Sequence, residues 1–125
     1  MNSNINSVGR HYTLDVYNCT KDKLAYKDAI EVILNKIVDI LQLTKVGESY
    51  KQFEPVGVTG FILLEESHVS IHTWPEHQFA AIDVFSCRSC LDIDKIKKLL
   101  ENEFDTASVE IQSIKRGVLL INELT

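Results

Sequence analysis

Apolar and polar residues alternate along HYTLDVYNC (11–19), with Tyr12, Leu14 and Val16 on one side of the alternation. A period of two marks a strand with one buried face. From Thr20 to Leu43 the period changes. Tyr26, Ile30, Ile33, Ile37 and Leu41 recur every three or four positions, which predicts an amphipathic helix lying on a sheet, with Thr20 placed to cap it. KVGESYKQF (45–53) predicts another strand. Pro55 and Gly57 interrupt the chain before VTGFILLEE (58–66), whose apolar run predicts a central strand. SHVSIHTW (67–74) alternates again, Pro75 with Glu76-His77-Gln78 marks a turn, and FAAIDVFSC (79–87) predicts a further strand. Asp92 is placed to cap a second helix carrying Ile93, Ile96, Leu100 and Phe104 on one face, and ASVEIQSIKRG (107–117) predicts a last strand. The tail VLLINELT fits neither period. This order predicts an α+β fold, a two-layer α/β sandwich with a mainly antiparallel sheet covered on one face by two helices. The other sheet face needs a partner or water.

Composition narrows the picture. With no repeat, linker or composition break, the 125 residues are expected to form a single domain, 1–125. The formal net charge of −5 lacks the basic excess of a nucleic-acid binder, so no nucleic acid is expected as a partner. No apolar run approaches the ~20 residues of a membrane span, so no membrane is expected either. MNSNINSVGR lacks the basic-then-apolar pattern of a signal peptide and reads as a frayed polar tail. The three cysteines are odd in number, which argues for reduced thiols and a cytoplasmic setting.

The candidate chemistry lies in EESHVSIHTWPE (65–76). On a strand, His68, Ser70 and His72 share one face, while Val69 and Ile71 point to the other. The plainest reading is a polar face turned to solvent. A metal site on His68, His72 and His77 would need a helix to align the i and i+4 rings, and the local pattern is strand, so no metal is assigned. Ser67 as a hydrolase nucleophile lacks the G-x-S-x-G elbow. A third possibility is that Ser67 attacks its own backbone. Separately, Cys87-Arg88-Ser89-Cys90 forms a C-x-x-C between a strand and a helix, the setting of a thiol-redox site, although the upstream element order is not thioredoxin-like.

ESHVSIHTWPE, with FEPVGVTG before it and AAIDVFSC after it, closely resembles the prokaryotic S-adenosylmethionine decarboxylase proenzymes; GRHYTLDVY near the start and KRG near the end extend the likeness over nearly the whole chain. The resemblance implies self-processing at Glu66–Ser67. The Ser67 hydroxyl attacks the preceding carbonyl, and elimination then leaves a β chain 1–66 and an α chain 67–125 that begins with a pyruvoyl cofactor made from Ser67. By the same resemblance His72 accepts the proton moved in processing, and Thr59 stands where the family usually has an assisting serine. Ser67 supplies the pyruvoyl carbonyl that forms a Schiff base with the substrate amine. Cys87 is the implied proton donor in catalysis, a step that suits thiols because they titrate close to neutral pH. Phe53 would stack on adenine, and Glu76 would hold the ribose hydroxyls. A homodimer of cleaved αβ protomers, with the site near its interface, is also implied.

The sequence departs from the family at several positions. Arg88 replaces a frequent glycine after the cysteine, Val56 a polar residue, and Thr20 an aspartate; Cys90 has no family role. Some relatives keep the pyruvoyl machinery and act on L-arginine or L-ornithine, so the expected substrate is S-adenosylmethionine with those two amino acids as alternatives. A non-enzymatic or thiol-redox protein using Cys87 and Cys90 is the alternative of a different class.

Overall fold

The computed structural model describes residues 5–87 and 91–120. Its elements are β1 (Ile5–Tyr17), α1 (Lys21–Leu24), α2 (Lys27–Leu41), β2 (Lys45–Gln52), β3 (Val58–Leu64), β4 (Ser67–Trp74), a 3-10 turn at Pro75–His77, β5 (Phe79–Ser86), α3 (Ile93–Glu103) and β6 (Ser108–Leu120). The six strands form one antiparallel sheet in the order β2-β3-β4-β5-β1-β6. β2 to β5 follow one another as a meander, and β1 slots between β5 and β6. The α+β architecture expected from the pattern is the one found.

Alternation sets the two faces. On β4, Ser67, Val69, Ile71 and Thr73 are buried while His68, His72 and Trp74 are exposed. The buried face meets α2, whose Ile30, Ile33, Leu34, Ile37, Val38 and Leu41 join Ile62, Val69, Ile71, Ile82 and Val84 in one core. Each such side chain contributes about 1.5–3 kcal/mol by leaving water. α3 adds Ile96 and Leu100, Phe104 follows at its C-terminal end, and the Asp92 side chain caps the helix by accepting from Lys95 N at 3.1 Å. Gly60 on β3 is a close-approach position, because a Cβ there would overlap the Tyr50 ring on β2.

Three local expectations are corrected. Residues 5–10 are strand, not a frayed tail: Ile5 pairs with Leu120 and Asn6 with Leu119, so backbone pairing along a long β1–β6 ribbon orders a stretch with little apolar content. The single helix from Thr20 divides at Ala25–Tyr26. Tyr26 has extended backbone (φ −125°) and its ring is exposed, not part of the buried stripe. Thr20 precedes α1 but makes no side-chain cap.

Cys19 is fully buried, and its thiol donates to Val16 O at 3.5 Å. Burial pushes its pKa from the ordinary 9.0 to about 11. The folded state therefore holds this proton more tightly than the unfolded chain. Its contribution to stability is full below pH 9.0 and is lost as pH rises towards about 11.

Candidate active site

β3 and β4 form a hairpin, and the sequence-predicted residues collect at its two ends. The register pairs Leu64 with Ser67 at the turn end and Thr59 with His72 at the open end.

At the turn end, only Glu65 and Glu66 link the strands. Hairpin turns of two residues favour glycine or asparagine where φ is positive. Here Glu66 takes φ 60°, a left-handed conformation that costs a residue with a Cβ about 1 kcal/mol or more. The turn is held by Glu65 N donating to Thr44 O at 3.2 Å. Ser67, the first residue of β4, is 8% exposed and faces a cavity of about 310 Å³ lined by Gln42, Leu43, Thr44, Glu66 and Cys87. Its hydroxyl makes no hydrogen bond among the described residues, whereas Cys87, at the end of β5, donates from Sγ to Glu66 O at 3.0 Å. The carbonyl preceding Ser67 is thus polarised by a thiol while the serine oxygen stays free.

At the open end lies a larger cavity of about 540 Å³, within the range of small-molecule sites. Phe53, Thr59, His72, Trp74 and Glu76 all line it. Thr59 Oγ1 and His72 Nδ1 share a hydrogen bond of 3.1 Å, so the threonine hydroxyl reaches the ring despite the extra methyl group. Trp74 stacks on His72, with centroids 6.0 Å apart, and on Phe79 at 5.6 Å. Sequence reasoning missed Trp74, although its i, i+2 relation to His72 on a strand was a usable signal.

The protomer brings Ser67, Glu66 and Cys87 together, and separately Phe53, Thr59, His72 and Glu76. It does not join the two groups. Ser67 and His72 are five residues apart on an extended strand, about 16 Å, and on opposite faces of the sheet. His68 stacks on Phe85 (5.8 Å) instead of joining His72 and His77, and no group of three potential metal ligands occurs among the described residues. Arg88 and Cys90, and with them the Cys87–Cys90 pair, lie outside the described residues. No helix is long and apolar enough to cross a membrane among the described residues.

The two thiols that are described differ in access, since Cys87 is exposed and Cys19 is not. In a Cys90→Ser background, iodoacetamide at about pH 8 labels Cys87 alone, and Cys19 reacts only once denaturant opens the core. Adduct counting by mass spectrometry checks this, and native labelling of Cys19 would contradict it.

Fold and cavities define an α+β sheet protein that sets a hydroxyl and a thiol at one end of a hairpin and an imidazole at the other. Residues 10–117 match the family model described as S-adenosylmethionine decarboxylase. The chain is 41% identical over 110 residues to the S-adenosylmethionine decarboxylase proenzyme of Archaeoglobus fulgidus, covering 88% of this chain and 98% of that one. It is 35% identical over 116 residues to the proenzyme of Sulfurihydrogenibium, covering 93% and 87%. Among solved structures, the adenosylmethionine decarboxylase of Aquifex aeolicus superposes with a TM-score of 0.82 at 32% identity, over 92% of this chain and 95% of that one. The chain belongs to the S-adenosylmethionine decarboxylase family.

Proposed function

We propose that the chain is the proenzyme of a pyruvoyl-dependent decarboxylase of S-adenosylmethionine, whose product donates aminopropyl groups in spermidine synthesis, and that it makes its prosthetic group from Ser67. The observation that carries this reading is the hydrogen bond from Cys87 Sγ to Glu66 O. It withdraws electron density from the carbonyl that the neighbouring hydroxyl must attack and stabilises the oxyanion that forms. Attack by Ser67 Oγ moves the Glu66 acyl group from nitrogen to oxygen. Removal of the Ser67 α-proton then expels the Glu66 carboxylate from Cβ and leaves dehydroalanine, which water converts to pyruvoyl and ammonia. The left-handed turn at Glu66 concentrates strain beside the bond that breaks.

The donor set at position 67 fits such a group: a buried first residue on a strand, a cavity beside it and a thiol at its edge. The pyruvoyl group supplies an electrophilic carbonyl that captures the substrate amine and takes up the electron pair left by CO₂. Cys87 then returns a proton to the substrate α carbon. His72 accepts the processing proton at Nε2. That requires Nδ1 to carry hydrogen, and Thr59 Oγ1, 3.1 Å away, can accept it. Phe53 and Trp74 offer flat apolar faces for adenine and for a sulfonium cation, and Glu76 offers a carboxylate for the ribose hydroxyls.

One protomer cannot apply His72 to its own Ser67 across about 16 Å. A two-fold pairing with strands opposed carries the turn end of one hairpin, where Ser67 sits at the edge of the buried face, to the open end of the other. The functional unit is therefore a homodimer with two composite sites.

Release of CO₂ from S-adenosylmethionine, L-arginine and L-ornithine, each measured with processed protein, tests the substrate. Turnover of S-adenosylmethionine alone is expected, and preference for either amino acid would overturn the assignment. Cys87→Ala should slow self-cleavage by about tenfold or more, as loss of an oxyanion donor does, and reduce turnover further still. Timed gels and single-turnover assays separate the two effects.

A further inference from the structure

The β2–β3 loop, residues 53–57, has no helix or strand of its own, yet it carries Phe53 and walls the larger cavity. Its backbone leans on the junction between α1 and α2: Gly57 N donates to Ala25 O at 2.9 Å, and Phe53 N donates to Gly57 O at 2.8 Å. One side chain completes the attachment. The two hydrogens of Gln52 Nε2 are shared among three carbonyl oxygens, Ala25 O at 2.9 Å, Gly57 O at 3.0 Å and Phe53 O at 3.1 Å, and Gln52 Oε1 accepts from Lys27 N at 2.8 Å. The orientation of the amide is fixed by these partners. Turned over, its oxygen would face three carbonyl oxygens and its NH₂ would face an N–H. Lys27 opens α2, whose N-cap residue Tyr26 makes no side-chain cap, so Gln52 also satisfies a helix N-terminal donor.

We propose that Gln52 is a positioning residue for the adenosyl end of the substrate. It does not line the cavity; it acts through Phe53, holding the 53–57 loop against Ala25 and Lys27 so that Phe53 stays in the cavity wall that Trp74 also lines. This rests on the reading that the cavity takes the adenosyl group. Loss of the brace leaves the loop free to move, and ordering it again then opposes substrate binding. The chemistry at Ser67 and Cys87, at the other end of the hairpin, is unaffected.

Two substitutions separate positioning from general stability. Gln52→Glu keeps an acceptor for Lys27 N, and hence the α2 cap, but replaces the donors to the loop with oxygen. Gln52→Met removes both. Trp74 is the only tryptophan of the chain and lies in the cavity, so its fluorescence reports filling. With wild type, Gln52→Glu and Gln52→Met in processed form, adenosine titration should give Kd about tenfold weaker in Gln52→Glu than in wild type. KM for S-adenosylmethionine should rise in parallel, while kcat and the rate of cleavage at Glu66–Ser67 stay near wild type at temperatures below unfolding, although the carboxylate oxygen facing three carbonyls lowers the melting temperature. Gln52→Met should show the same binding loss with a lowered melting temperature. Unchanged Kd and KM in Gln52→Glu would overturn the brace, as would a fall in kcat and cleavage together with stability. No fluorescence response to adenosine in wild type would instead overturn the adenosyl assignment of the cavity, and the brace with it.

Discussion

Ser67→Ala protein remains a single chain however long it is incubated, whereas wild type resolves under denaturing conditions into a fragment ending at Glu66 and one beginning with a blocked residue 67. The expectation follows from the local chemistry. The amide before Ser67 has a polarised carbonyl and a left-handed turn, but neither breaks a peptide bond without a nucleophile. Alanine keeps the backbone and the apolar part of the buried side chain, so the fold survives and the outcome reports chemistry. Decarboxylation falls below detection along with cleavage, because no other route creates the electrophile. Intact mass and CO₂ release measure the two readouts. A cleaved alanine variant, or an uncut wild type, would contradict self-processing at this bond.

Much of this was legible in the sequence, through one physical rule. The alternation of SHVSIHTW assigns His68, Ser70 and His72 to one face, and the structure places them so. The same parity puts Ser67 on the opposite face, and five residues of strand set its distance from His72. The failure of one protomer to unite the two was therefore implicit in the spacing. The helix division at Tyr26 was not legible. Its apolar ring fits the three-to-four period, while what breaks the helix is a set of backbone groups bonded to Gln52 and Gly57, far along the chain. Thr73 was hidden in the same way. Inside HTW it looks like filler, yet it is buried, its Oγ1 donates to Leu24 O at 2.8 Å and accepts from Val58 N at 2.9 Å, and it pins the strand between His72 and Trp74. Pattern reports which face a residue takes; it does not report which distant carbonyl the residue holds.

Two inactive variants should restore each other. Cys87→Ala damages the turn end of the hairpin, and Glu76→Ala damages the open end. If each working site joins the turn end of one protomer to the open end of its partner, a mixed dimer places both lesions in one site and leaves the other intact. Co-expressed with different tags and purified through both, the mixed dimer should show about half of wild-type activity, while each parent homodimer shows little. Cleavage at Glu66–Ser67 must be driven to completion beforehand and checked by mass, since Cys87→Ala slows it. The reverse geometry makes the opposite forecast. Were Ser67 served by its own His72 and Glu76, every site in the mixed dimer would carry one lesion, and activity would not exceed that of the parents. That result would require the hairpin to fold back on itself across about 16 Å, against the continuous β3–β4 ladder that runs from Thr59–His72 to Leu64–Ser67.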